Sequence, residues 1–392
     1  MNRLRHNKRV LIAGLGLVVA SPGLADYEIR VGAARNDNIG RTSDMEQTET
    51  IGFAGLFVDY EHESRRVDAR IFGDIEYRHY RDDTFDNEVV GDFGANLEFG
   101  FIPDVISWMI EERFGDVQTD PFQAVTPENR ETLNVFTTGP NLRIGMGSTT
   151  ALLASARYTD RNYEKSNVDS EIIGYQLGIT RALSANRNLT LFASSDEIKY
   201  DDQLANTDYT QESIYLSFDS KMSRGSLTIS AGYNEVDQDG FVTDGPLYDI
   251  QFLRELSASS TLDLGLSQRF SDGGGQFAQN QDIAVGSGIT ISSVVSADPF
   301  ELQTAYAKWR FERRSNEFEV SYTFSDEDYV SNSAQDRKRQ LIRVGAGRTF
   351  GGSWIVDAYG YYEESEFGQI EPVRMDEDTT WGLGLSKQFT RA

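Results

Sequence analysis

Three groupings of residues have the types and spacing to do chemistry. His79 lies just before Asp82-Asp83, a spacing that could pair a general base with an orienting carboxylate. Acids beside a histidine are commonplace in a chain holding 62 Asp and Glu, so a polar histidine at the loop end of its strand is the plainer reading. Glu235, Asp237, Asp239 and Gly240 match the opening of a calcium loop, with ligands at alternate positions and Gly at the sixth. The twelfth position is Pro246 instead of Glu, which excludes an EF-hand. An acidic exposed hairpin loop remains, with weak calcium binding as its alternative. No catalytic residue, metal site or cofactor is assigned, and the chain is not read as an enzyme.

The third grouping is the largest. Asp68, Arg70, Asp74, Glu76 and Arg78 fall on every second position of one stretch, apart from Phe72. Asp92, Asn96 and Glu98 do so in the next, as do Asp263 with Arg269 and Glu317 with Glu319. Arg113 and Arg143 are further candidates. On an extended strand alternate residues share a face. These residues are therefore candidate pore-lining groups that tune the passage of ions or sugars. The competing reading is a wetted wall with no selected substrate. Phe72, Tyr80, Tyr359 and Tyr361 fall on the same face, either to stack on sugar rings or to pack under an infolded loop.

The elements that carry them are strands. Val67, Ala69, Ile71, Gly73, Ile75 and Tyr77 alternate with the charged set, and Phe93, Ala95, Leu97, Phe99 and Phe101 do the same. The pattern recurs at Leu262, Leu264, Leu266, at Phe318, Val320, Tyr322, Phe324 and at Trp381, Leu383, Leu385. A helix would scatter these apolar residues around its surface, so period two excludes helix there. Short turns such as Pro103-Asp104, Gly147-Ser148 and Gly351-Gly352 alternate with longer acidic connections such as Gly115 to Arg130, Asp201 to Asp208, Asp237 to Gly245 and Ser271 to Ala297. The pattern predicts eighteen strands joined as an up-and-down meander. An even count, with tight turns at one end and loops at the other, is how bacterial outer-membrane barrels are built. Aromatics near strand ends, among them Phe101, Trp108, Phe114, Tyr200, Trp309, Phe350, Trp354 and Phe389, suit interfacial girdles.

Composition narrows the class. The chain has 392 residues, 37 Lys+Arg against 62 Asp+Glu and no Cys. Its acidity argues against a nucleic-acid partner, which needs a cationic face. Absence of Cys excludes disulfides, zinc thiolates and a Cys nucleophile. The basic residues 1–9, the apolar run Val10–Ala20 and Gly23-Leu24-Ala25 read as a secretory signal peptide over 1–25, leaving 26–392 as the barrel. That run falls short of the roughly 20 apolar residues of a membrane helix. A propeller packs four strands into about 40–45 residues, whereas here such a span holds two. The fold class is thus all-β, a transmembrane up-and-down antiparallel β-barrel of about eighteen strands, exported to the cell outer membrane.

Between Trp108 and Pro140 the chain reads Trp108, Glu111-Glu112, Phe114, Asp120-Pro121-Phe122, Pro127-Glu128-Asn129-Arg130, Asn134-Val135-Phe136 and Gly139-Pro140. This stretch resembles the outer-membrane β-barrel family associated with exosortase (PEP-CTERM) and exopolysaccharide gene clusters. The resemblance implies a porin-like channel tied to exopolysaccharide export or production. Its implied partners are outer-membrane lipid, the outer-membrane assembly machinery and polysaccharide export machinery. The alternative is a non-conducting structural barrel that anchors an envelope complex. One departure is the C-terminus, where Phe389 is followed by Thr390-Arg391-Ala392 although many such barrels end on Phe. Within 271–297 the β-prone run Ile289–Val295 is a poor exposed tip. The segment is expected to fold into the lumen or against the rim and to narrow the pore.

Overall fold

The computed structural model describes residues 25–40, 46–279, 293–368 and 374–389. The expected signal peptide lies, but for Ala25, outside the described residues. So do Ile289–Ser292 of the β-prone run and the residues after Phe389. The strands are β1 (Ala25–Asn36), β2 (Glu49–Glu63), β3 (Val67–Tyr80), β4 (Glu88–Ile102), β5 (Ile106–Gln118), β6 (Arg130–Gly145), β7 (Thr150–Tyr163), β8 (Ser170–Ser184) and β9 (Arg187–Tyr200). They continue with β10 (Tyr209–Met222), β11 (Gly225–Gln238), β12 (Phe241–Ser257), β13 (Ser260–Ser271), β14 (Phe300–Arg313), β15 (Asn316–Tyr329), β16 (Arg337–Phe350), β17 (Trp354–Phe367) and β18 (Arg374–Phe389). Each strand pairs antiparallel with the one before it, and β1 also pairs with β18, Tyr27 opposite Phe389 and Asn36 opposite Thr380. The sheet is therefore closed, as the alternation of the sequence predicts.

Closure has a physical cause. Each strand runs 12–17 residues, more than the roughly 9–11 that cross a bilayer at a tilt. Hydrocarbon offers no partner to a free strand edge, so a spanning sheet must close on itself. The outward face is apolar: Ile29, Ile75, Leu177, Leu266, Val344 and Leu383 all stand exposed at the barrel surface. Exposed apolar side chains on this scale mark contact with lipid. A girdle of Phe101, Trp108, Phe350, Trp354 and Phe389 sits exposed at the short-turn rim, where the Lys387 ammonium lies 4.9 Å from the Trp354 ring. An even-stranded barrel with this belt is an outer-membrane protein.

Four features depart from the sequence reading. The connection expected over 237–245 is only the two-residue turn Asp239-Gly240, with φ of 57° and 87°. Both residues are left-handed, as the primed hairpin turn demands, and Asp-Gly is a favoured pair for it. Glu235 and Asp237 therefore lie in the β11 ladder, opposite Asp244 and Val242. Tyr200 faces inward, in a cluster with Ile172, Ile198, Tyr209, Val236 and Phe270, and is no girdle residue. The long connection contains a short helix, α1 (Gly273–Gln279). Lastly, β12 and β13 part company: their pairing stops at Tyr248–Gln268, although β13 stays paired to β14 as far as Ser271–Phe300. Beyond the split Phe270 packs on inward residues of β8–β11, so this end of β13 leaves the wall for the lumen and carries α1 with it. Buried Asn234 spans the split, its amide donating to the Gly245 carbonyl and accepting from the Phe270 N–H.

The two faces of β13 give a direct test. Leu264→Arg, on the lipid face, should cost about 2–4 kcal/mol of stability in vesicles. Ser267→Arg, on the lumen face of the same strand, should cost little. Urea unfolding of the reconstituted barrel reads both, and equal costs would overturn the assignment of faces.

Candidate functional site

Register defines the inner face. In β3 the even residues Asp68, Arg70, Asp74, Glu76 and Arg78 oppose Glu98, Asn96, Asp92, Val90 and Glu88 of β4. Asp263 and Arg269 share parity with Tyr306-facing Gly265 in β13, while Glu317 and Glu319 share parity with Glu327 in β15. The twelve charged or amide residues singled out from the sequence thus occupy the face opposite the apolar belt. Their immediate partners follow. Arg30 of β1 bonds both oxygens of Asp74 at 2.5 Å, passing over β2 where Gly55 leaves room. Arg78 donates to Glu76 at 2.8 Å, and Arg113 donates to Asp92 at 2.9 Å. Arg70 lies 3.4 Å from Glu61, Ser107 donates to Glu98 at 2.5 Å, and Arg310 bonds Glu319 at 2.9 Å and lies 3.7 Å from Glu317. Tyr306 donates to Asp263 at 3.2 Å. Arg269 shares the parity of Ser267, which pairs with Asp249 of β12.

A second set of charges was not singled out from the sequence. Arg130 pairs with Glu88, which also accepts from the Tyr80 hydroxyl at 2.6 Å. Arg337 bonds both oxygens of Glu327 at 2.9 and 3.0 Å, and Arg339 bonds Glu363 at 2.9 Å. Asn36 donates to Asp378 at 2.6 Å across the closing seam. These groups cluster at the loop end and, but for the half-buried Glu88, are buried. Buried charges require paired, hydrogen-bonded partners. The alternation of Arg337, Arg339 and Arg343 at the start of β16 carried the same signal as β3 and would have found the two β16 arginines of this set.

Two segments fold into the lumen at this end, and they bond Glu327 and Arg130 of this set. The first is 119–129, between β5 and β6. Asn129 pins it, donating to the Asp120 and Ala124 carbonyls at 2.8 and 2.9 Å. Its Phe122 reaches Phe367 of β17, ring centroids 5.1 Å apart. The second comprises Asp272, α1 and 293–299. Asp272 accepts from Arg161 of β7 at 2.6 Å, from the Tyr209 hydroxyl at 2.8 Å and from the Gly275 N–H at 2.6 Å. Phe277 packs with Val117, Leu133, Val135 and Tyr163 on the inner face of β5–β7. From the same helix Gln276 donates to Glu327 of β15 at 2.8 Å. β7 and β15 lie eight strands apart in a ring of eighteen, so this segment ties nearly opposite walls. Val294 then forms a parallel bridge to Gln118, and the Tyr200 hydroxyl holds the Ala297 carbonyl at 3.0 Å. Burial pushes the nearby Asp298 carboxyl up, against the opposing pull of Ser331 and Asn332. Ser293–Val295, the described part of the β-prone run, therefore lies inside the barrel, one of the two placements expected for it.

The other candidate chemistry disperses. His79 has the outward parity of Ile75 and Tyr77, and its Nδ1 contacts the Asn87 side chain at 2.9 Å. Asp82 donates its backbone N–H to Glu49, away from that ring. Phe72 lies inward between Arg70 and Arg113, whose guanidinium carbons stand 5.7 and 5.4 Å from its centroid. Inward parity also holds for Tyr80, Tyr359 and Tyr361.

No protein-family model matches the chain, and no curated protein matches it. Among solved structures it is similar to OccAB4 of Acinetobacter baumannii, at 11% identity and TM-score 0.45, covering 93% of this chain and 98% of that one. It is also similar to OpdQ of Pseudomonas aeruginosa, at 13% identity and TM-score 0.46, covering 94% and 99%. The outer-membrane protein OpdK of Pseudomonas aeruginosa compares at 12% identity and TM-score 0.45, covering 93% and 98%.

Asp272→Ala strips Arg161 of its partner inside the barrel and Tyr209 of its acceptor. The loss expected for one half of a buried pair is about 3–5 kcal/mol. Pairing it with Arg161→Met should recover much of that. Urea unfolding of the single and double variants measures both, and a double variant no better than the single would show that the pair is not coupled.

Proposed function

We propose that the protein is an outer-membrane channel for small hydrophilic solutes, narrowed at its loop end by 119–129 and by the α1 segment. The observation that carries this reading is a charged inner face enclosed by a closed sheet whose outer face is apolar. By register the inward positions hold more acids than bases: Glu61, Glu63, Asp68, Glu98, Asp357 and Glu317 stand toward the short-turn half. Like-signed walls concentrate counter-ions. The channel therefore favours cations and neutral solutes over anions. The narrower association with exopolysaccharide production or export, and with its machinery, has the Trp108–Pro140 resemblance as its support. A neutral glycan suits this wall better than an acidic one.

A second reading is a non-conducting barrel that anchors an envelope complex. The two segments tying opposite walls favour it, because they stand in the path of any solute.

Single-channel recording in a planar bilayer separates the two. Under a potassium chloride gradient the reversal potential should lie on the cation-selective side. Phe122→Ala and deletion of residues 273–296 should each raise conductance. Silence in the wild type with opening on deletion supports the blocked barrel. Anion selectivity would overturn the acidic-wall argument.

A further inference from the structure

We propose that the lumen wall carries a binding subsite for a neutral pyranose ring, centred on Phe192. The proposal rests on the channel reading in that the sugar must reach the lumen. Five inward aromatics lay a ring over the glycine directly across the ladder: Phe53 on Gly32, Phe72 on Gly94, Phe192 on Gly178, Tyr306 on Gly265 and Tyr359 on Gly382. A Cβ at these glycines would stand 2.0–2.7 Å from the opposing ring. No side chain fits there, so each ring lies down over its neighbour strand instead of projecting into the lumen. Aromatic cover of a cross-strand glycine is a known device of sheets. On an inner wall it leaves the second face of the ring toward the lumen.

These rings differ in what that second face meets. Phe53 and Phe72 are buried, and Phe72 is flanked by guanidinium groups. Phe192 is half-buried and lines a cavity of about 490 Å³ in the wall near the short turns. Tyr215 on the next strand widens the platform, ring centroids 5.2 Å apart and planes 33° apart. Its hydroxyl is held by Gln176, a cavity residue, at 3.0 Å. Asn141 and Ser155 add amide and hydroxyl groups to the rim. The charges on the lining balance, Asp68, Glu98 and Asp104 against Arg65, Arg66 and Arg143.

One aromatic face with a rim of mixed donors and acceptors and no net charge selects a ligand of matching build. A pyranose has an apolar C–H face and hydroxyls around its edge. Sites of this kind pair apolar surface with a few placed polar groups. An anion would meet Asp68 and Glu98, and a cation would meet the arginines.

The test is equilibrium binding to the purified full-length barrel in detergent, by calorimetry, with maltose as the neutral probe and glucuronate and glucosamine as charged ones. Maltose should bind the wild type more tightly than either charged sugar. Phe192→Ala should weaken maltose at least tenfold, while Phe192→Trp should retain it. Gly178→Val, which lifts the ring off the wall, should weaken it as well. Heat-modified gel mobility checks that each variant is folded. No maltose binding, equal binding by folded Phe192→Ala, or tighter glucuronate binding would overturn the subsite. Binding in detergent needs no conduction, so a conducting barrel without Phe192-dependent binding sinks the subsite alone. A silent barrel that binds maltose sinks the channel alone.

Discussion

The rule that no backbone N–H or C=O can go unpaired in hydrocarbon organises this molecule. It requires the seam between β1 and β18, where the first and last strands of the described chain meet over ten consecutive residue pairs. Once the ring is shut, each strand has one side toward lipid and one toward an enclosed space. A strand reverses side at every residue. The sequence must therefore write two messages at once, apolar on one parity and polar on the other. Asp74, Glu76 and Arg78 are interleaved with Ile75 and Tyr77 for that reason.

That constraint explains what was legible from residues alone. The Leu262, Leu264, Leu266 row and the β3 charges reveal strand, face and direction because lipid admits no exception in the middle of the belt. Short turns are legible for a similar reason. Arg314-Ser315 and Gly351-Gly352 must reverse the chain in two or three residues, and positive φ at Arg314, Gly351 and Gly352 follows. The rule lapses beyond the belt. There an acidic stretch can be a loop or a continued ladder, and 237–245 turned out to be ladder around Asp239-Gly240. Tyr200, at a strand end, satisfies an interfacial pattern equally well looking in or out. Its direction was decided by Phe270, seventy residues later, which no local pattern contains.

The lumen was less legible because its structure is made by contacts across the ring. Alternation says that Arg161 points inward. It does not say that Asp272, brought over by the parting of β13 from β12, will meet it. The same holds for Gln276 with Glu327 and for Phe122 with Phe367. Each joins residues that no hairpin pairs, 51 positions apart in the first case and 245 in the second. Long-range pairs of this kind leave no periodic trace.

The buried charges and the infolded segments require one another. In an empty lumen of this width, Glu327 or Arg337 would sit in water, and an exposed ion pair contributes little. Once 119–129 and α1 exclude solvent, the same pairs become strong and directional, and losing one partner becomes costly. The segments are in turn held by those charges, since α1 has only seven residues and isolated helices that short are not stable. Asp272 and Gln276 anchor it at both walls, and Phe277 supplies its apolar contact. Whatever passes through this barrel must therefore do so beside a structure built from the wall's own ion pairs. Any solute able to compete for those pairs would loosen the segments that narrow its path.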